Sequence, residues 1–145
     1  MPLHRARIAG LGTYVPEKVV TNYDLESMME TSHDWIVERS GIEERRWVVA
    51  GEQCNVDLAV PAAKNALQDA GLTVEDVDCI VYATLSPDYF FPGDGVLLGR
   101  ELGIQGVPAY DIRQQCSGFV YGLELANSLV LSLIHISEPT RPLYI

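Results

Sequence analysis

Short apolar runs alternate with helix-like segments along this chain. Three of the runs have the length of a strand, and they cover Ala6–Leu11, Val77–Ala83 and Val107–Ile112. Between and after them, apolar residues recur at the spacing of amphipathic helices. Strands that alternate with helices predict βαβ units, in which right-handed crossovers join parallel strands. We therefore expect an α/β fold with a mostly parallel sheet.

Cap and stop residues mark where the predicted helices begin and end. Thr21, with Asp24 three residues later, predicts the start of a short helix. Thr31 predicts the start of a second helix over Ser32–Arg39, which Gly41 should end in the left-handed conformation.

Two later helices are predicted over Asn55–Ala70 and Gly95–Leu102, and each is followed by a glycine. The first of them is rich in alanine, which permits close packing on a sheet. Pro61 lies beyond its first turn, where it removes a backbone donor and should kink the helix.

One cysteine lies where a strand gives way to a helix. Cys116 follows the run Val107–Ile112, and a helix is predicted from Gly118 onward. Unpaired N–H groups and the positive end of a helix dipole favour a thiolate, which is the nucleophilic form of cysteine. The helix carries apolar residues on nearly all of its sides, namely Phe119, Val120, Tyr121, Leu123, Leu125, Ala126, Leu129 and Val130. Since such a helix belongs in a protein interior, we predict a nucleophile at the start of a buried central helix.

Aromatic residues suggest two further sites. Trp35 and Arg39 are four residues apart on one helix face, where an indole and a guanidinium suit a purine and a phosphate. The alternative is a partly buried tryptophan that the arginine covers. Phe91 ends the aromatic stretch of the loop Thr84–Gly93, which we expect at a protein interface or a pocket wall. The alternative is a loop that packs into its own core.

Composition narrows the class of protein. Of 145 residues, 48% are hydrophobic and 21% are charged, which fits a globular domain. The formal net charge of −10 argues against nucleic acid or an anionic membrane as a partner. Three cysteines, with no zinc-ligand spacing and no signal-peptide or membrane-spanning run, predict a soluble cytoplasmic protein without a metal. Within the predicted strand, Cys79 is expected to fill the core.

Four stretches together resemble the β-ketoacyl-acyl carrier protein synthase III enzymes of the thiolase superfamily. The stretch DIRQQCSGFVYGLELA, which contains Cys116, is similar to the nucleophile motif of that family. The segments Ala9–Asn22 and Thr31–Arg46 and the loop that ends Phe91-Pro92 agree in order and spacing. The resemblance covers the chain from Ile8 to Ala126. It implies the N-terminal half of a thiolase-like αβαβα fold.

The resemblance also implies a reaction and its residues. Cys116 matches the acylated nucleophile, Trp35, Arg39 and Thr31 match contacts to the coenzyme A nucleotide, and Phe91 matches a residue that lines the acyl pocket of the dimer partner. The implied enzyme condenses acyl-coenzyme A with malonyl-acyl carrier protein and initiates fatty acid synthesis as a homodimer. It uses no cofactor besides its coenzyme A thioester substrate. Arg45 and Arg46 either steer the acidic carrier protein or form an ordinary solvated pair.

Several rival activities stay open. Gln114 and Gln115 stand beside the nucleophile where many family members have small residues, so a hydroxymethylglutaryl-coenzyme A synthase-like or a secondary-metabolite ketosynthase activity is an alternative. A cysteine hydrolase is rejected, because its nucleophile elbow requires glycine at position 114. A non-catalytic fragment or dimerisation module is the remaining alternative.

From Leu131 the resemblance ends. Leu131–Arg141 reads like a translated sequencing adapter, so we assign residues 1–130 to the thiolase-like half and residues 131–145 to a non-native tail. The family's catalytic histidine and asparagine come from its second half, and no residue here is assigned to them. His4, His33 and His135 are the histidines of the chain. The fragment alone is therefore expected to be inactive and prone to aggregation.

Overall fold

A computed structural model describes residues 6–132. Two compact units divide these residues. The small unit comprises residues 14–54, and the large unit comprises the remaining described residues. His4, His135 and most of the expected tail lie outside the described residues, while Leu131 and Ser132 form the end of the last helix.

The small unit pairs a two-stranded sheet with two helices. Its elements are β1 (Val19–Thr21), α1 (Asn22–Glu26), α2 (His33–Ser40) and β2 (Glu44–Arg46). The strands are antiparallel, with Val20 opposite Arg45.

The first predicted cap is confirmed, and the second is wrong by one residue. The Thr21 hydroxyl accepts from the Asp24 N–H at 3.2 Å, and the Asp24 carboxylate accepts from the Thr21 N–H at 2.8 Å. In the second helix, Ser32 rather than Thr31 is the cap, because the Ser32 hydroxyl accepts from the Trp35 N–H at 3.2 Å. Gly41 ends that helix with φ = 68°, as expected.

The large unit contains a parallel strand pair between helices. Its elements are α3 (Asn55–Ala70), β3 (Ile80–Ala83), α4 (Asp94–Leu102), β4 (Ala109–Ile112) and α5 (Gly118–Ser132), with a 3₁₀ turn at Val74–Asp76. Strands β3 and β4 pair in parallel, with Ala83 opposite Ile112. Helix α4 forms the crossover between them, and Ile80, Tyr82 and Leu98 are the centre of the core. The α/β class is confirmed.

The predicted first strand over Ala6–Leu11 is wrong. This segment lies alongside α3. The Leu11 N–H donates to the Asp69 carboxylate at 2.9 Å, and the Asn65 amide donates to the Thr13 carbonyl at 2.9 Å. A Cβ on Gly12 would overlap the Ala62 carbonyl oxygen, so glycine permits the close approach. The apolar run thus packs on a helix instead of pairing with a strand.

Two other predictions need adjustment. The second strand is shorter than Val77–Ala83 and begins at Ile80, and a 3₁₀ turn over Val74–Asp76 precedes it. Helix α5 is buried on one face only: Gly118 and Gly122 are buried, whereas Phe119, Val120 and Tyr121 are 66%, 61% and 46% exposed. In the described part of the chain, nothing covers that second face.

Candidate active site

Cys116 lies in the turn that joins β4 to α5. We call residues 113–117 the nucleophile turn. Strand β4 ends at Ile112, and α5 begins at Gly118, two residues after the cysteine. The Gly118 N–H donates to the Gln115 carbonyl at 2.8 Å, which closes the turn. Cys116 is exposed, so a reagent in solution can reach it.

The start of α5 suits negative charge. Its first turn carries no acidic residue, so no carboxylate there offsets the partial positive charge of the helix N-terminus. Backbone N–H groups at such a terminus stabilise anions. Cys116 precedes this helix end by two residues.

Cys79 has a different environment. It is half buried and lines a cavity of about 490 Å³ between α3, β3 and α5. Burial raises the pKa of its thiol, and the neighbouring Asp78 raises it further. Since the thiolate is the reactive form, these effects make Cys79 a weaker nucleophile than a cysteine whose pKa is not raised.

The loop that carries Phe91 starts beside the nucleophile turn. We call Thr84–Gly93 the aromatic loop. Strands β3 and β4 are parallel and end in register, and the Thr84 N–H donates to the Ile112 carbonyl at 3.1 Å. The guanidinium carbon of Arg113 lies 4.3 Å from the ring centroid of Phe90. The structure thus brings the aromatic loop and the nucleophile turn to the same end of the sheet.

The aromatic side chains of this loop face outward. Tyr89 is 61% exposed, Phe90 is 83% exposed and Phe91 is 89% exposed. The alternative of a loop packed into its own core is therefore wrong for the described chain. Such exposure is typical of a surface that another molecule covers.

Three carboxylates that the sequence analysis missed anchor this region. Asp111 in β4 accepts from the Asp94 and Gly95 N–H groups at 2.7 and 2.8 Å, which caps α4. Asp94 is completely buried, and it accepts from the Asp88 N–H at 3.0 Å and the Tyr89 N–H at 3.4 Å. Asp88 in turn accepts from the first two N–H groups of α3 at 2.7 and 2.9 Å. The only sequence signal was that Asp94 directly precedes the helix predicted over Gly95–Leu102, which in the structure begins at Asp94 itself.

In the small unit, Trp35 and Arg39 meet as predicted. The guanidinium carbon of Arg39 lies 4.4 Å from the centroid of the Trp35 ring. Trp35 remains 54% exposed. Arg39 also approaches the Glu38 carboxylate at 3.5 Å, in a solvent-exposed pair of the kind that adds little stability. Both the covering arginine and an accessible indole are present, and Thr31 lies directly before the Ser32 cap of this helix.

A buried asparagine holds α2 to the small sheet. The Asn22 side chain is completely buried and donates to the Ile42 carbonyl at 2.8 Å. Arg45 donates to the Asn22 side-chain oxygen at 2.6 Å and to the Val20 carbonyl at 3.2 Å. Arg46 donates to main-chain carbonyls of residues 16 and 17. Both arginines therefore stabilise the small unit. This role differs from the two expected ones, steering of an acidic carrier protein and an ordinary solvated pair.

Residues 6–132 lack two kinds of feature, a membrane-spanning helix and a metal-binding cluster. No helix among residues 6–132 has the length and apolar character to cross a membrane. The same residues contain no group of three or more histidine, cysteine, aspartate or glutamate side chains that could hold a metal ion.

Known proteins resemble this chain over most of its length. No protein-family model matches it. Over 130 residues it is 44% identical to β-ketoacyl-acyl carrier protein synthase III of Chlamydia caviae. The alignment covers 90% of this chain and 38% of the relative. The crystal structure of 3-oxoacyl-acyl carrier protein synthase III from Aquifex aeolicus matches with a TM-score of 0.82 and 44% identity, over 87% of this chain and 40% of that one.

A third similar protein comes from another pathway. The priming β-ketosynthase of the R1128 polyketide biosynthetic pathway matches with a TM-score of 0.83 and 29% identity, over 91% of this chain and 40% of that one. The chain thus spans about two fifths of the length of these proteins. In sequence and in fold, it is a homologue of β-ketoacyl-acyl carrier protein synthase III over the part of that enzyme that it spans.

Proposed function

We propose that the whole protein, of which this chain forms a part, is a condensing enzyme that starts fatty acid chains from an acyl-coenzyme A. In the first step the Cys116 thiolate attacks the acyl thioester, and coenzyme A leaves as its thiol. In the second step malonyl-acyl carrier protein loses carbon dioxide, and the resulting carbanion attacks the Cys116 thioester. The products are a 3-ketoacyl-acyl carrier protein and the regenerated cysteine.

One observation carries this proposal. Cys116 is exposed in the turn between the parallel strand β4 and the start of α5. A nucleophile needs access to its substrate and stabilisation of the negative charge that develops during attack. The homology to β-ketoacyl-acyl carrier protein synthase III supports acyl transfer as the reaction at such a cysteine.

Four residues are proposed to contact the coenzyme A nucleotide or the acyl chain. We propose that Trp35 stacks on the adenine of coenzyme A, that Arg39 pairs with its phosphates and that Thr31 adds a contact. Arg39 is suited to this because its exposed pair with Glu38 is easily exchanged for a phosphate. The outward Phe91 would line the acyl pocket of a second copy in a homodimer, which would cover the exposed aromatic loop. A reducing cytoplasm would keep the nucleophile as a thiol.

A second candidate is a priming ketosynthase of secondary metabolism. The similarity to the R1128 enzyme favours it, and so does the presence of Gln114 and Gln115 beside the nucleophile. It would use the same acylation step with a different acceptor.

The experiment uses the full-length protein and measures release of the coenzyme A thiol from acetyl-coenzyme A, with and without malonyl-acyl carrier protein. We expect release that Cys116→Ser abolishes and Cys79→Ser leaves within about twofold, because the latter thiol is not the proposed nucleophile. Release that persists in Cys116→Ser would contradict the proposal. The fatty acid enzyme and the priming ketosynthase differ in their acceptor. Product analysis with malonyl-acyl carrier protein and, separately, with other carrier-bound acceptors therefore distinguishes them.

A further inference from the structure

Two contacts tie the aromatic loop to the nucleophile turn. The first is a cation–π contact, in which the guanidinium carbon of Arg113 lies 4.3 Å from the ring centroid of Phe90. Arg113 follows the last residue of β4 and lies three residues before Cys116. Phe90 directly precedes Phe91 in the chain. A shift of the nucleophile turn and a shift of Phe91 are therefore linked through one side chain.

The second contact is the carboxylate chain at the base of the loop. Asp111 in β4 holds the first N–H groups of α4, and the buried Asp94 at that helix start holds the Asp88 and Tyr89 N–H groups. A Cβ at Gly93 would overlap the Asp111 carboxylate, so only glycine fits there, with φ = 107°. Both ends of the loop are thus fixed to the strand that leads to Cys116.

These anchors leave one adjustable point. The base of the loop is held by partly buried charge-assisted hydrogen bonds, which are stronger than neutral ones. At the tip of the loop, the one side-chain contact described for Phe90 is its exposed contact with Arg113. A cation–π contact of this kind changes the ratio of held to released loop by about two- to fivefold. The tip is therefore held loosely enough for one substitution to release it without unfolding the unit.

We propose that Arg113 is a positioning residue: it holds Phe90, and with it Phe91, in a fixed place at the end of the sheet, so that Phe91 limits the length of the acyl chain that is transferred to Cys116 of a second copy. The selectivity part of this inference rests on the proposed function, whereas the tether between loop and turn does not.

The tether is tested by amide hydrogen exchange of the purified protein, resolved by mass spectrometry of peptides. Arg113→Met keeps an apolar stem and removes the charge. We expect exchange in residues 84–93 to rise about two- to fivefold, with no change in α3, and Arg113→Lys to restore most of the protection. Arg100→Met is the matched control, since Arg100 is an exposed arginine of α4 that pairs with Glu101. Unchanged exchange in residues 84–93, or an equal rise in α3, would overturn the tether.

The selectivity is tested by the ratio of acetyl to octanoyl transfer from coenzyme A to Cys116. We expect Arg113→Met to shift this ratio about two- to fivefold toward octanoyl, because a released Phe91 excludes long chains less well. A local rise in exchange with an unchanged ratio would overturn the positioning role. If the wild-type protein takes up neither acyl group, the proposed function and the selectivity fail together, and the exchange result alone decides the tether.

Discussion

Removal of the Trp35 indole should weaken binding of coenzyme A. Arg39 covers one face of the ring at 4.4 Å, and the indole remains 54% exposed, so the other face is available for adenine. Stacking of a base on an aromatic side chain contributes about 1–3 kcal/mol when measured by alanine substitution. Since about 1.4 kcal/mol corresponds to tenfold in affinity, Trp35→Ala should raise the dissociation constant by about five- to 150-fold.

Isothermal titration calorimetry with coenzyme A measures this change directly. Trp35→Phe keeps a smaller aromatic face and should lose only part of the affinity. Trp47→Ala is a matched control, because Trp47 belongs to the same small unit and is 37% exposed. If Trp35→Ala changes the dissociation constant by less than twofold, or no more than Trp47→Ala does, the indole does not stack on the ligand. The tryptophan would then serve only the packing of α2.

The remaining predictions concern stability and thiol reactivity. Asp111→Ala should lower the free energy of unfolding in urea by about 1–3 kcal/mol, because it leaves two N–H groups of α4 unpaired; a loss no larger than that in Glu101→Ala would contradict the cap. Hydrogen bonds from Thr21 lower the pKa of Asp24 below its ordinary value of 3.8. The capping box should therefore stabilise the small unit above that pH and weaken as the pH falls below it, and Thr21→Val should remove this pH dependence of stability; a variant with an unchanged acid profile would refute it. Cys79 should react with iodoacetamide more slowly than Cys116 at neutral pH, because burial raises its pKa; peptide mass spectrometry that finds Cys79 alkylated first would show the reverse.

Local signals predicted much of the fold. Thr21 and Asp24 specify a cap within four residues, and Gly41 ends α2 with the left-handed backbone that glycine adopts easily. The long alanine-rich pattern gave the bounds of α3 as Asn55–Ala70, although Pro61 lies inside it. Each of these features depends on neighbours within one or two helical turns.

Features that depend on distant contacts were missed. The Ala6–Leu11 run has the composition of a strand, yet the hydrogen bond from the Leu11 N–H to the Asp69 carboxylate places its end along α3. The Asp111–Asp94 and Asp88–Asn55 contacts join residues that are 17 and 33 positions apart, and no sequence spacing identifies such pairs.

Sequence patterns located much of the candidate site, but they did not predict the contacts between its parts or the burial of its helix. The strand-to-helix pattern placed Cys116 in the turn before α5, and helical spacing brought Arg39 to Trp35. The Arg113–Phe90 contact depends on the parallel register of β3 and β4, which short apolar runs do not specify. Burial of α5 was overestimated, because apolar composition does not tell which faces are covered within the described chain.

The location of the acyl group in the full-length protein, after a brief exposure to acetyl-coenzyme A, tests the central claim most directly. Protease digestion and mass spectrometry would then assign the modified cysteine among the three in the sequence. The account predicts acetyl on Cys116, formed with release of coenzyme A and removed when malonyl-acyl carrier protein is added. Acetyl on Cys54 or Cys79 with Cys116 unmodified would contradict it.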